Sequence, residues 1–245
     1  MLNSAINKSK QLDALKLQQI DSLKKAAENI PADDATRRLE AVLTIADQYL
    51  TTNADSALAY ARRGIELSNH TPNGQANAKI AYINALSVSG IFSPALSELD
   101  SVQRLPLDKK QKIEMWKSGR RLYSYMMSYV SEKSPIYATY GQKYIEFDDS
   151  LLTSLPKTDN FYFFLKCERA VADGKYKEAK KMLETLLDRL PVKSNLYGIA
   201  AFQMAEVYRN QGDETMYASF LAKAAVSDIE AAVKEGLALP TLANW

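Results

Sequence analysis

A small residue recurs along this chain at a spacing that few folds can produce. Ala57 in NADSALAYARRGIEL, Ala95 in GIFSPALSELDSV, Ala138 in SPIYATYGQKYIEF, Ala179 in DGKYKEAKKMLETLLDRLP and Tyr217 (or Ala218) in QGDETMYASFLAKAA lie at intervals of 38, 43, 41 and 38 residues. Each falls early in a segment with the 3.6-residue apolar period, and no stretch alternates at the β period between hairpin turns. One helical hairpin cannot bury its apolar face alone, but stacked hairpins share a continuous core. The spacing therefore predicts an all-α fold, an α-solenoid of about five helical hairpins and eleven or twelve helices.

Turn chemistry falls in phase with that spacing. Gly90, Gly174 and Gly212 stand where a first helix must end in a left-handed residue. Pro94 and Pro135 fall in the first turn of a second helix, where a missing N–H costs nothing. Leu105-Pro106, Leu155-Pro156 and Leu190-Pro191 close second helices, because the residue before proline avoids the α region.

Composition excludes several kinds of chemistry. The 31 Lys and Arg against 29 Asp and Glu leave a net charge of +2, which is no nucleic-acid footprint. The basic excess in QRLPLDKKQKIEMWKSGRR, residues 103–121, reads as a solvated helix face. Cys167 is the one cysteine, so no intrachain disulfide or cysteine-based zinc site can form, and its run FYFFLKCERAV makes it a buried thiol. His70 is the one histidine, in a turn-like loop, which leaves no catalytic triad. Asp148-Asp149 point about 100° apart on a helix and read as a helix-end charge cluster. No phosphate loop, HExxH or EF-hand spacing occurs. The chain is expected to be no enzyme and to carry no cofactor or metal. No run of 18 apolar residues is present to span a membrane, and no charged-then-apolar leader opens the chain.

The hairpin residues resemble the tetratricopeptide repeat, a family with a unit of about 34 residues. Counted from Asn160, the family's bulky, small, glycine, aromatic, alanine and proline places hold Phe163, Cys167, Ala170, Gly174, Tyr176, Ala179, Leu183 and Pro191. From Gly198 they hold Ala201, Ala205, Tyr208, Gly212, Leu221 and Ala224, with Glu214 and Tyr217 departing. From Gly119 they hold Leu122, Met126, Tyr129 and Ala138, with Pro135 and Gln142 departing; repeats near Arg38 and Ala76 match less well. The two ends, LNSAINKSKQLDALKLQQIDSLKK and LAKAAVSDIEAAVKEGLALPTLANW, are similar to periplasmic repeat domains of membrane-tethered transcriptional regulators of Bacteroides-type bacteria. That resemblance implies a chain trimmed at both ends: a signal peptide before it, further repeats, one membrane helix and a DNA-binding domain after it. GLALPTLANW, which starts an apolar helix and stops mid-pattern, agrees.

One domain over residues 1–245 is expected. Residues 1–30 form a capping helix through Leu12, Leu15, Ile20, Leu23, Ala27 and Ile30, residues 38–231 form five hairpins, and 237–245 start a further helix. A coiled-coil homodimer through residues 1–30 is the alternative use of that stripe. The resemblance implies a non-catalytic sensor in the periplasm, tethered to the membrane, binding a protein, a peptide or a glycan. A stand-alone cytoplasmic scaffold is the alternative. Tail-binding repeats grip a carboxylate with lysine and asparagine; here those places hold Phe164, Glu168, Phe202 and Glu206, and Asn84 alone matches. The family's concave-face places hold Arg120, Tyr123, Met127 and Val130, then Phe161, Phe164, Glu168 and Val171, then Ile199, Phe202, Glu206 and Arg209. Tyr123, Phe164 and Phe202 are the expected anchors of a groove, with Glu168, Glu206 and Arg209 setting its polarity; the alternative packs these aromatics beneath neighbouring helices.

Overall fold

The computed structural model describes residues 2–69, 71, 74–234, 236 and 238–244. Among them stand twelve α-helices and no strand. A long α1 (Leu2–Glu28) precedes five pairs: α2 (Ala35–Tyr49) with α3 (Ala54–Ser68), α4 (Gly74–Val88) with α5 (Phe92–Gln103), and α6 (Lys109–Ser128) with α7 (Pro135–Ser154). The last two are α8 (Asn160–Ala172) with α9 (Tyr176–Arg189), and α10 (Asn195–Asn210) with α11 (Glu214–Glu230), followed by a short α12 (Ala238–Ala243). The fold class is an all-α helical-repeat solenoid, as the spacing requires.

Local signals account for the helix boundaries. Side chains of Asp34, Asn53, Asp108, Asp159, Ser194 and Asp213 accept hydrogen bonds from backbone N–H groups of the helices they open, and Asp108 with Gln111 completes a reciprocal capping box. Gly90, Gly174 and Gly212 adopt φ of 71°, 71° and 74°. At each, the next N–H bonds back to the carbonyl of Leu86, Ala170 or Tyr208, the six-to-one closure that a Cβ would oppose. Pro135 opens α7, and α5, α7 and α9 end just ahead of the three Leu-Pro pairs.

The chain divides into two compact units. One comprises residues 18–154; the other comprises residues 1–17 with 155–245, so α1 contributes to both. The first unit holds two cores, one of Ile20, Ile45, Ala46, Tyr49, Ala57, Ala61 and Ala85, the other of Ile80, Ile83, Leu86, Ala95, Leu99, Leu122 and Phe147 among others. In the second unit, Phe164, Cys167, Ala179, Leu183, Met204 and Leu221 belong to the main core, while Leu2 packs on a smaller one of Ala201, Ala224, Ala225 and Ala238.

Three sequence expectations are corrected by the packing. Ala57, Ala95 and Ala179 are fully buried, but Ala138 is exposed. Along α1, Ile20 is buried with Leu23 and Ala27 beside it, whereas Leu15 is 47% exposed. A step of three and then five residues carries Leu15 off the face shared by Leu12, Ile20, Leu23 and Ala27, because positions on one face recur at three or four. Tyr129, expected inside its repeat, is 72% exposed and leans edge-on against Phe92, because α6 ends one residue before it.

Candidate functional site

Of the expected groove residues, Arg120, Tyr123 and Met127 lie in the unit of residues 18–154, on α6, and they turn toward their own partner helix α7. The Arg120 side chain is 13% exposed; its Nε donates to Asp148 Oδ1 at 2.6 Å, and its guanidinium lies 4.5 Å from the Tyr144 ring centre. Arg120 also donates to the Tyr144 hydroxyl. Tyr123 is half-buried between Tyr140 and Phe147, with ring centres 6.0 Å away in each case. Burial raises its phenol pKa, against the opposing pull of Lys143. Met127 reaches toward Gly141 of the same helix α7.

Phe161, Phe164, Glu168, Phe202, Glu206 and Arg209 lie in the unit of residues 1–17 and 155–245, on α8 and α10, which touch. Phe164, one of the three expected anchors, is 1% exposed and belongs to the core. The reason is the width of the buried arc on α8, where Phe164, Leu165, Cys167 and Ala170 are all inside. With α9 and α10 both against it, α8 needs more than one apolar stripe. Phe161 stacks on Phe164 at 6.0 Å and stays half-buried, as do Glu168, Phe202 and Glu206. Arg209 is exposed and pairs with Glu206 one turn away. Burial raises the Glu206 carboxyl, and Arg209 pulls it back down. The structure thus leaves Phe161, Glu168, Phe202, Glu206 and Arg209 with surface on α8 and α10, and Ile199 beside them at 44% exposure.

Cys167 is fully buried, and burial, followed by the nearby Glu168, pushes its thiol up to about 12. That is an inert thiol, as its apolar run implies. His70 lies outside the described residues. The carboxylate expected at a helix end, Asp148, is instead buried within α7 as the partner of Arg120. The pair is 28 residues apart in sequence, and no local pattern announces it. A second feature escaped the sequence reading: a cavity of about 310 Å³ in the unit of residues 18–154, lined by Ser68, Asn69, Thr71, Gln75, Leu105 and Gln111 among others. Its hydroxyls already serve the fold, since Ser68 and Thr71 donate to the carbonyls of Ile65 and Leu67. Among the described residues no group of three or more His, Cys, Asp or Glu could hold a metal ion, and no helix is long and apolar enough to cross a membrane.

Paired helices, left-handed glycine closures and buried alanines at the repeat spacing define a tetratricopeptide-repeat protein. Comparison with known proteins agrees. The chain matches the family described as the SusR N-terminal TPR domain over residues 6–245, and it belongs to that family. Among solved structures it is similar to a thermophilic TPR protein of Thermus thermophilus, at a TM-score of 0.56 and 16% identity, covering 84% of this chain and 97% of that one. A protein of Podosopora anserina with nearly identical TPR-like repeats gives a TM-score of 0.46 at 15% identity, over 81% of this chain and 97% of that one. No curated protein matches significantly.

Proposed function

We propose that this chain is a non-catalytic binding module, the sensor part of a transcriptional regulator working across the cell envelope. The observation that carries the reading is the family match, which runs over residues 6–245 and names the N-terminal TPR domain of SusR. Repeat folds of this kind present a row of first helices to a partner, and affinity comes from a few part-buried aromatic anchors with polar groups at their rim. On α8 and α10, Phe161 and Phe202 are the anchors, with Ile199 adding apolar surface. Glu168, Glu206 and Arg209 set polarity there. An extended peptide segment of a protein partner fits a mixed apolar and charged face, and a glycan is the other ligand class for it. The chain acts in the periplasm, tethered to the membrane through the rest of the regulator. Binding shifts the balance between two conformations of the repeats, as any sensor must if its ligand is to change an output.

In-frame removal of residues 6–245 from the full-length gene tests the sensor role. The expected result is a regulator whose target genes no longer follow the inducing signal; a retained response ends the sensor reading. Fractionation of cells carrying the tagged full-length protein tests location, where recovery of the domain with cytosol contradicts it.

A further inference from the structure

The joint between α11 and α12 holds a carboxylate in an environment that opposes its charge. Asp228 is half-buried on α11, and its side chain fits because both facing residues are glycine. A Cβ at Gly198 of α10 would stand 2.9 Å from Asp228 Oδ1, and a Cβ at Gly236, in the link to α12, would collide with Oδ2. Among the described residues no cation compensates it. Lys234 pairs with Asp13 of α1, Lys223 lies over the Phe220 ring, and α12 has no ionisable side chain from Ala238 to Ala243. From α10 the neighbouring ionisable group is Tyr197, whose phenol is raised by burial and by Asp188 of α9. The segment before α10, whose Val192 and Ser194 carbonyls accept from Ser227, carries Lys193, which is exposed. Glu230 follows on α11 itself, and Glu235 lies outside the described residues. Burial is the one cause that moves the Asp228 carboxyl, up to about 6.

The backbone at the same place holds a strained turn. Ala232, with φ of 53°, is the one non-glycine residue of positive φ among those described, and it is buried. Its turn closes through the Val233 N–H, which donates at 2.8 Å to the carbonyl of Asp228. Beyond the turn, Ala238 seats α12 against Ala201, Ala224 and Ala225. Asp228 therefore touches both parts of the joint: its carbonyl closes the turn, and its carboxylate meets the link that carries α12. A desolvated carboxylate without a counter-charge opposes close packing, and protonation removes that opposition.

We propose that Asp228 makes the seating of α12 on α11 responsive to pH, tight when the carboxyl is protonated and loosened when it ionises. The sign follows from linkage. The seated form holds the proton more tightly than a solvated carboxyl of ordinary value 3.8, so the stabilisation is complete below that value and is lost as pH rises through about 6. Each unit of difference changes the seating equilibrium tenfold, which sets a ceiling of about 100-fold across that window.

Hydrogen exchange of residues 238–244 in the 245-residue chain, corrected for intrinsic rates at pH 4.5, 6 and 7.5, tests this. Protection is expected to fall by roughly 10-fold to 100-fold from pH 4.5 to 7.5 in the unaltered protein. In Asp228→Asn, which keeps the shape without the charge, protection is expected to stay high throughout. Constant protection in the unaltered protein, or the same fall in the variant, overturns the proposal. If Asp228→Asn does not fold, an NMR titration of the Asp228 carboxyl carbon in the unaltered protein decides: a midpoint near 6 supports the device, and one below about 4.5 removes it.

Discussion

The hairpins α8–α9 and α6–α7 solve the same packing problem with different chemistry. In α8–α9 three residues join the helices, Gly174 makes the turn, and Ala179, the fourth residue of α9, is fully buried in an apolar core. In α6–α7 six residues join them, and Ala138, the fourth residue of α7, is exposed. The close approach has moved along the pair to Gly119, where a Cβ would stand 2.7 Å from Phe147 Cε1. Beside that contact sits the Arg120–Asp148 ion pair rather than more apolar area. A repeat spacing in sequence marks where the hairpins are; turn length decides which residues on them touch.

The comparison breaks most visibly at the ion pair. Asp148→Ala removes the buried carboxylate that accepts from Arg120, which is expected to cost about 3–5 kcal/mol in urea unfolding. The paired change Arg120→Met with Asp148→Leu is expected to recover most of that loss, because neither member of the pair then carries a charge. A single variant as stable as the unaltered chain would show that the pair is solvated and that α6–α7 is held as α8–α9 is.

Punctuation was legible in the sequence because it is local. The three glycines, the Leu-Pro pairs and Pro135 each act on the backbone within a few residues, and each stands where its spacing put it. Ala179 and Cys167 were legible because α8–α9 keeps the short turn that fixes the family's register. The register of α6–α7 was not: the repeat spacing pointed to Ala138, but the longer connection lets the helices meet at Gly119 instead. The candidate face was legible in part for a related reason. Position on one helix predicts direction, but burial depends on how many neighbours press on that helix. Phe164 lies between α9 and α10 and went inside, whereas Phe161, one turn earlier, kept surface.

An intermediate effect is expected at the two close contacts themselves. Ala179→Leu forces extra volume between α8 and α9, and Gly119→Ala pushes a methyl group into the Phe147 ring. Each is expected to cost about 1–3 kcal/mol by urea unfolding. Should Gly119→Ala prove neutral while Ala179→Leu does not, the Phe147 ring swings away freely and α6–α7 has no tight contact at that point.

The smallest effect sharpens the contrast most. Ala138 and Ala179 occupy the same step of their helices, so a register common to both hairpins requires Ala138→Leu to cost what Ala179→Leu costs. The exposed position of Ala138 says otherwise. A leucine there projects into solvent, loses little rotamer freedom on a helix and meets no facing backbone, so the change is expected to fall within about 0.5 kcal/mol of the unaltered chain. Measured beside Ala179→Leu under the same urea conditions, a comparable loss would restore the uniform register and make Gly119 an incidental contact. A negligible loss would leave the six-residue connection as the cause of the shift, and shortening it to three residues would then be the way to bring Ala138 inside.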